Sequence, residues 1–108
     1  KYLGVTSTQR YALLPEVPTV AESDIAELKG FEALAWNGVL VAANTPRPVV
    51  DRINAALNTA LQDPAVKNVL RGAGLEPVGG TPEQFTQLIQ NESTKWAPII
   101  QRSGARID

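Results

Sequence analysis

Residues 9–23 read QRYALLPEVPTVAES, and the fold turns on how this stretch is read. Pro15 and Pro18 fix their own backbone and push their neighbours toward extended geometry, so no helix can run through them. Leu13, Leu14, Val17 and Val20 are too apolar for an ordinary surface loop and call for a sheet to cover. Thr19 followed three residues later by Glu22 has the spacing of a capping box, which predicts a short helix beginning after Thr19. The stretch is therefore a proline-stiffened connector that enters a helix.

Outward from it, KYLGVT at residues 1–6 is short, apolar and β-rich, and predicts a strand closed by the hydroxyl run Thr6-Ser7-Thr8. ALAWNGVLVAA at 33–43 predicts a second strand, buried on both faces because it shows no alternation. Three helix starts follow at Thr45-Pro46, Asp63-Pro64 and Thr81-Pro82, each pairing an N-cap oxygen with proline at the first helical position. The first helix carries an apolar stripe of Val49, Val50, Ile53, Leu57 and Leu61, and the last carries Phe85, Leu88, Ile89, Trp96 and Ile100. Pro98 lies inside the last helix and predicts a kink, and Gly104 ends it. A small strand is expected over Leu75–Gly79 and an edge strand over the closing ARID, 105–108. The order is that of an α/β fold with few short strands and three to four helices.

The chain has 108 residues, 44% of them apolar, so it can form an ordered core of modest size. Ten Lys and Arg against eleven Asp and Glu leave a net charge of −1, which gives no electrostatic drive toward nucleic acid or anionic membranes. There is no Cys, His or Met. Disulfides and thiolate chemistry are excluded, and the commonest general base and metal ligand are missing. The chain starts at Lys1, with no secretion leader visible in these residues, and reads as a piece of something larger.

These absences weigh against catalysis. The serines have no His and no Ser-x-x-Lys spacing to activate them. Glu22, Asp24 and Glu27 could be drawn as an acid–base pair, but a solvated face explains them as well. No metal site is expected and no cofactor is implied. GGTP at 79–82 could place backbone N–H groups around an anion, though it lacks a phosphate-loop lysine and reads more simply as a capped turn. Thr6 and Ser7 are stronger candidates. Hydroxyls at the carboxyl end of a strand in an open α/β sheet lie where such folds bind ligands, and they can donate to a carboxylate. They can equally end a strand as turn formers. Arg10 could add a charge-assisted bond to an acidic ligand or form an ion pair within the fold. Trp36, beside Asn37, could wall a cleft or sit in the core.

The longer stretch VTSTQRYALLPEVPTVAES, residues 5–23, resembles a signature of the Bug family, the periplasmic substrate-binding receptors of tripartite tricarboxylate transporters. The matching elements are Val5-Thr6-Ser7, Arg10, Leu14 through Thr19, and Glu22. Trp36-Asn37-Gly38 resembles the family's Trp-aromatic-Gly strand, with Asn37 where an aromatic is usual. Thr45-Pro46, Ile53-Asn54, Asp63-Pro64, LEPVGGTPEQF, Lys95-Trp96 and Gly104 continue the resemblance in order along the whole chain.

The resemblance implies the C-terminal third of a two-lobe periplasmic binding protein. Residues 1–34 would belong to the second lobe. Residues 35–108 would supply a crossing strand and helices that pack on the first. The implied parent captures small carboxylates (di- or tricarboxylates, acidic amino acids or aromatic acids) and delivers them to membrane transporter subunits, without catalysis. Thr6, Ser7, Arg10, Trp36 and Asn37 are the expected ligand-binding residues. A segment cut from such a protein should expose apolar surface and self-associate. The alternative is a stand-alone interaction or oligomerisation domain that captures no ligand.

Overall fold

The computed structural model describes residues 1–106, and the chain folds as two units, Lys1–Gly38 and the residues from Val39 on.

The first unit is built around the proline connector. Val5 and Thr19 form a parallel bridge, in which the Val5 N–H donates to the Pro18 carbonyl (2.9 Å) and the Val20 N–H to the Val5 carbonyl (2.8 Å). Two turns shape the connector itself: the Leu14 N–H donates to the Tyr11 carbonyl (2.9 Å) and the Val17 N–H to the Leu14 carbonyl (3.0 Å). A 3-10 turn over Val20–Glu22 follows, capped as its spacing predicts. The Glu22 N–H donates to Thr19 Oγ1 (3.2 Å) while the Thr19 N–H donates to Glu22 Oε2 (2.6 Å). A second 3-10 turn spans Ala26–Leu28. The chain then returns, and the Ala33 N–H donates to the Thr6 carbonyl (3.0 Å). Val17 and Thr19 are the buried residues among those described, at 5% and 4% exposure, so the core of this unit lies directly under the connector.

The second unit carries three helices: α1 Arg47–Ala60, α2 Pro64–Gly72 and α3 Pro82–Ser103. Asp63 caps α2 by accepting from the Ala65 N–H (2.7 Å) and the Val66 N–H (3.4 Å). Thr81 caps α3 in a full capping box with Gln84, and α3 ends at Gly104 in the left-handed region, φ 68°. The start of α1 differs from expectation. Its N-cap is Pro46, one residue later than the sequence suggests, and no side chain caps it. The Thr45 hydroxyl instead donates to the Ala42 carbonyl (2.8 Å), closing the turn before the helix. α3 runs through Pro98 as one helix, although proline has no N–H to offer the Thr94 carbonyl.

α1 is tied along its length to the start of α3. Asn54 and Asn58 reach from α1 to the Gly79–Gly80 turn that precedes α3, and Arg47 Nη1 pairs with Glu83 Oε1 at 2.6 Å. Arg71 at the end of α2 pairs with Glu76 at 2.8 Å. None of the three helices buries a residue fully, and no two share an extended packed face among the described residues. None is long and apolar enough to cross a membrane.

The strands are where sequence and structure part. Lys1–Thr6 contributes the single Val5 bridge, and Tyr2 and Leu3 are 73% and 83% exposed. Residues 33–43 form no strand, and Leu40 is 75% exposed. A strand exists only where a neighbouring backbone answers its N–H and C=O groups, and β-prone composition does not supply that neighbour. Leu75–Gly79 is not a strand either: Pro77 lacks an N–H and Gly79 turns into the left-handed region, φ 72°. The edge strand expected over ARID falls partly outside the described residues, and Ala105 and Arg106 are irregular.

Candidate functional site

The hydroxyl turn after Val5 is held from three sides. Its entry is fixed by the Val5–Thr19 bridge, and the Thr6 carbonyl is held by Ala33. Ser7 closes the turn itself: its Oγ donates to the Gln9 carbonyl at 2.6 Å. That bond uses the one proton of the hydroxyl, so Ser7 as it stands can accept from a ligand but donate only by giving up Gln9. Thr6 is exposed and Ser7 half-buried.

Arg10 is turned inward along the connector. Its Nε lies 3.1 Å from Glu22 Oε2, its Nη2 3.1 Å from Glu22 Oε1, and its Nη1 donates to the Pro15 carbonyl at 3.2 Å. This is the fork geometry in which guanidinium and carboxylate match best. The hydrogen bonds from Arg10, helped by the Thr19 N–H, hold the Glu22 carboxyl below its ordinary range, and the same contact raises the Arg10 guanidinium further. Of the two roles the sequence allows for Arg10, the ion pair is the one formed.

Trp36 and Asn37 follow Ala33 and are both exposed, Trp36 by 41%. The Ala33–Thr6 hydrogen bond brings their segment back to the hydroxyl turn, so the five expected residues belong to one unit. Thr6 and Ser7 lie in the bend over residues 6–9 and Arg10 directly follows it, while Trp36 and Asn37 lie three and four residues beyond Ala33, whose N–H holds the Thr6 carbonyl.

Several partners lie beyond what the sequence reading names. The Arg10–Glu22 pair spans twelve residues, beyond any local spacing rule. Tyr11 Oη and Ser23 Oγ, in the same unit, are closed off from solvent with no hydrogen-bond partner among the described residues. The Asn58 amide donates to the Asn54 carbonyl (3.0 Å) and the Gly80 carbonyl (2.8 Å), while its Oδ1 accepts from the Gly80 N–H (2.9 Å). The two asparagines stand four apart on α1, a spacing that puts them on one helix face and was a legible signal. Their grip answers the anion reading of GGTP. The Gly80 N–H is taken by Asn58 and the Thr81 N–H by Gln84 (2.8 Å), so these two donors are engaged within the fold.

Residues 1–105 match the family model described as the tripartite tricarboxylate transporter family receptor. Among curated proteins, the chain is 46% identical over 98 residues to a UPF0065 protein from the tcbD-tcbE intergenic region of Pseudomonas sp. strain P51, covering 91% of this chain and 29% of that protein. It is 37% identical over 98 residues to a UPF0065 protein from the clcB-clcD intergenic region of Pseudomonas knackmussii, covering 91% of this chain and 57% of the relative. It is 32% identical over 105 residues to Protein BugT of Bordetella pertussis, covering 97% of this chain and 31% of that protein. The chain thus spans between 29% and 57% of the length of these relatives. No solved structure matches it.

Proposed function

This chain belongs to the tripartite tricarboxylate transporter family of receptors, and from that premise we propose that it is the C-terminal third of a periplasmic receptor for small carboxylates. The family is one of transport receptors with an α/β fold, not of enzymes, and a receptor-like role follows from membership. The observation that carries the proposal is the match over residues 1–105, which takes in the hydroxyl turn, the connector and all three helices.

In this reading residues 1–34 belong to the second lobe, and residues 35–108 carry the crossing segment and the helices that pack on the first. Thr6 and Ser7 face the ligand from the end of the first segment, Arg10 stands beside them, and Trp36 and Asn37 line the cleft. The ligand is a di- or tricarboxylate, an acidic amino acid or an aromatic acid, passed on to membrane transporter subunits after the lobes close. The isolated chain holds part of the cleft and binds such ligands weakly. Calorimetric titration with citrate, glutamate and benzoate tests this: little or no heat is expected, and tight binding of any of the three overturns the partial-cleft reading.

A second reading draws on one observation. Val39, Leu40 and Val41 are 60%, 75% and 43% exposed in succession. That run supports an interaction or oligomerisation role for the chain by itself, independent of ligand capture.

A further inference from the structure

Glu22 is engaged from two sides in the first unit. Its carboxylate accepts from Arg10 Nε (3.1 Å to Oε2) and Nη2 (3.1 Å to Oε1) and from the Thr19 N–H (2.6 Å). An exposed ion pair alone contributes little, because water and side-chain entropy offset its attraction. This pair differs in what it joins. Through Glu22, Arg10 is coupled to the backbone of Thr19; through its own Nη1 it holds the Pro15 carbonyl at 3.2 Å. The connector is thus tied at its start, middle and end by one guanidinium and one carboxylate.

Thr19 carries the consequence onward. It is 4% exposed and is the bridge partner of Val5. Val5 immediately precedes Thr6 and Ser7. An unbroken sequence of contacts therefore leads from Arg10 to Glu22, to Thr19, to Val5, to the hydroxyl turn. Neither Arg10 nor Glu22 contacts Val5 through any of these hydrogen bonds.

We propose that Arg10 and Glu22 are positioning residues, a latch that sets the hydroxyl turn at Thr6 and Ser7 in place through Thr19. The proposal rests on the reading of that turn as ligand-facing only for its functional meaning; the latch itself is a property of the unit. It also reassigns Arg10, whose Nε edge is committed to Glu22 and is closed to a ligand carboxylate while the latch is shut.

The test is a double-mutant cycle read at sites the two side chains do not touch. Amide hydrogen exchange is followed by NMR in the chain and in its Arg10→Gln, Glu22→Gln and doubly substituted forms. In Glu22→Gln the amide oxygen can still accept from Thr19, so the cap can persist while the ion pair is lost. Each single change should speed exchange of the Val5 and Val20 amides by about tenfold, the scale of one lost charge-assisted hydrogen bond. The double change should add little beyond either single one, since both break one device. Amides within α1, in the other unit, should keep their rates and so report that the fold is intact. Singles within twofold of the parent at Val5, or effects that simply add, overturn the latch. Because no ligand is present, this outcome is independent of the calorimetric test of carboxylate capture.

Discussion

Asn58 shows how much of the second unit hangs on one side chain. Its amide donates to the Asn54 and Gly80 carbonyls, and its Oδ1 accepts from the Gly80 N–H, all at 2.8 to 3.0 Å and half-buried. The turn it grips has no tolerance for a side chain of its own. A Cβ on Gly79 would stand 2.5 Å from Asn58 Oδ1, in a backbone at φ +72° that L-residues rarely adopt. Asn58→Ala removes donor and acceptor together: the Gly80 N–H loses its partner, while the Gly80 carbonyl keeps only the bond from Asn54 Nδ2 (3.0 Å). A loss of about 1–3 kcal/mol is expected, the cost of orphaning partly buried polar groups. Urea unfolding followed by helical circular dichroism measures it. Asn58→Asp should fare little better: it can still accept from the Gly80 N–H, but its second oxygen would face the Asn54 and Gly80 carbonyls that the amide now donates to at 3.0 and 2.8 Å. A stability unchanged in Asn58→Ala would show that water replaces the clasp at no cost.

At the scale of elements, the caps were legible and the strands were not, for a single reason. A capping box is a local pattern, and Thr19 with Glu22 and Thr81 with Gln84 both close within one turn. The helix ends at Asp63 and Gly104 are local in the same sense. The exception, Thr45, shows the limit: its hydroxyl had a competing acceptor in the Ala42 carbonyl, which the Thr-Pro pattern does not reveal. Residues 33–43 have strand composition without a strand, because pairing is a property of two segments. The same divide separates the site residues, since the Ser7 turn is local while the Arg10–Glu22 pair is not. Two of the capped starts should also respond to acid. Arg10 and the Thr19 N–H hold the Glu22 carboxyl down. The Glu83 carboxyl, in the first turn of α3, is held down first by its own backbone N–H and then by Arg47. Carboxyls lowered on folding stabilise above their unfolded pKa, and that contribution is lost as pH falls through the folded value. Lowering the pH below about 4.5, the ordinary range of a glutamate, should therefore loosen the Val20–Glu22 turn and the start of α3. The Thr19 amide resonance, 2.6 Å from Glu22 Oε2, reports the first directly. Its shift should titrate below that range and be flat in Glu22→Gln. A midpoint at or above the ordinary value would contradict the sign.

At the scale of the molecule, the decisive feature is how little the chain covers. Val17 is the one buried apolar residue among those described, while Leu3, Val69, Leu40 and Val78 are all at least 73% exposed. Such surface is costly in water at about 25 cal/mol per Å² and favours whatever can cover it. The segment best suited to be covered by another backbone is 33–44. No residue from Ala33 to Asn44 carries a charge, and no proline falls between Pro18 and Pro46 to interrupt pairing. Proteins that leave an edge open usually guard it with lysine or proline, and this stretch has neither. The chain by itself should therefore form dimers or larger species, held by Val39, Leu40 and Val41. Static light scattering at rising concentration should show a weight-average mass climbing above the 11.6 kDa of one chain. Leu40→Lys places a gatekeeping charge in the centre of the run, at a side chain already exposed by 75%. It should return the mass to that of a monomer while leaving the circular dichroism of α1 to α3 unchanged. A monomer at all concentrations in the unsubstituted chain would sink the prediction. An oligomer that Leu40→Lys leaves intact would move the contact to another face, such as the side of α1 that carries Pro48, Val49 and Ile53.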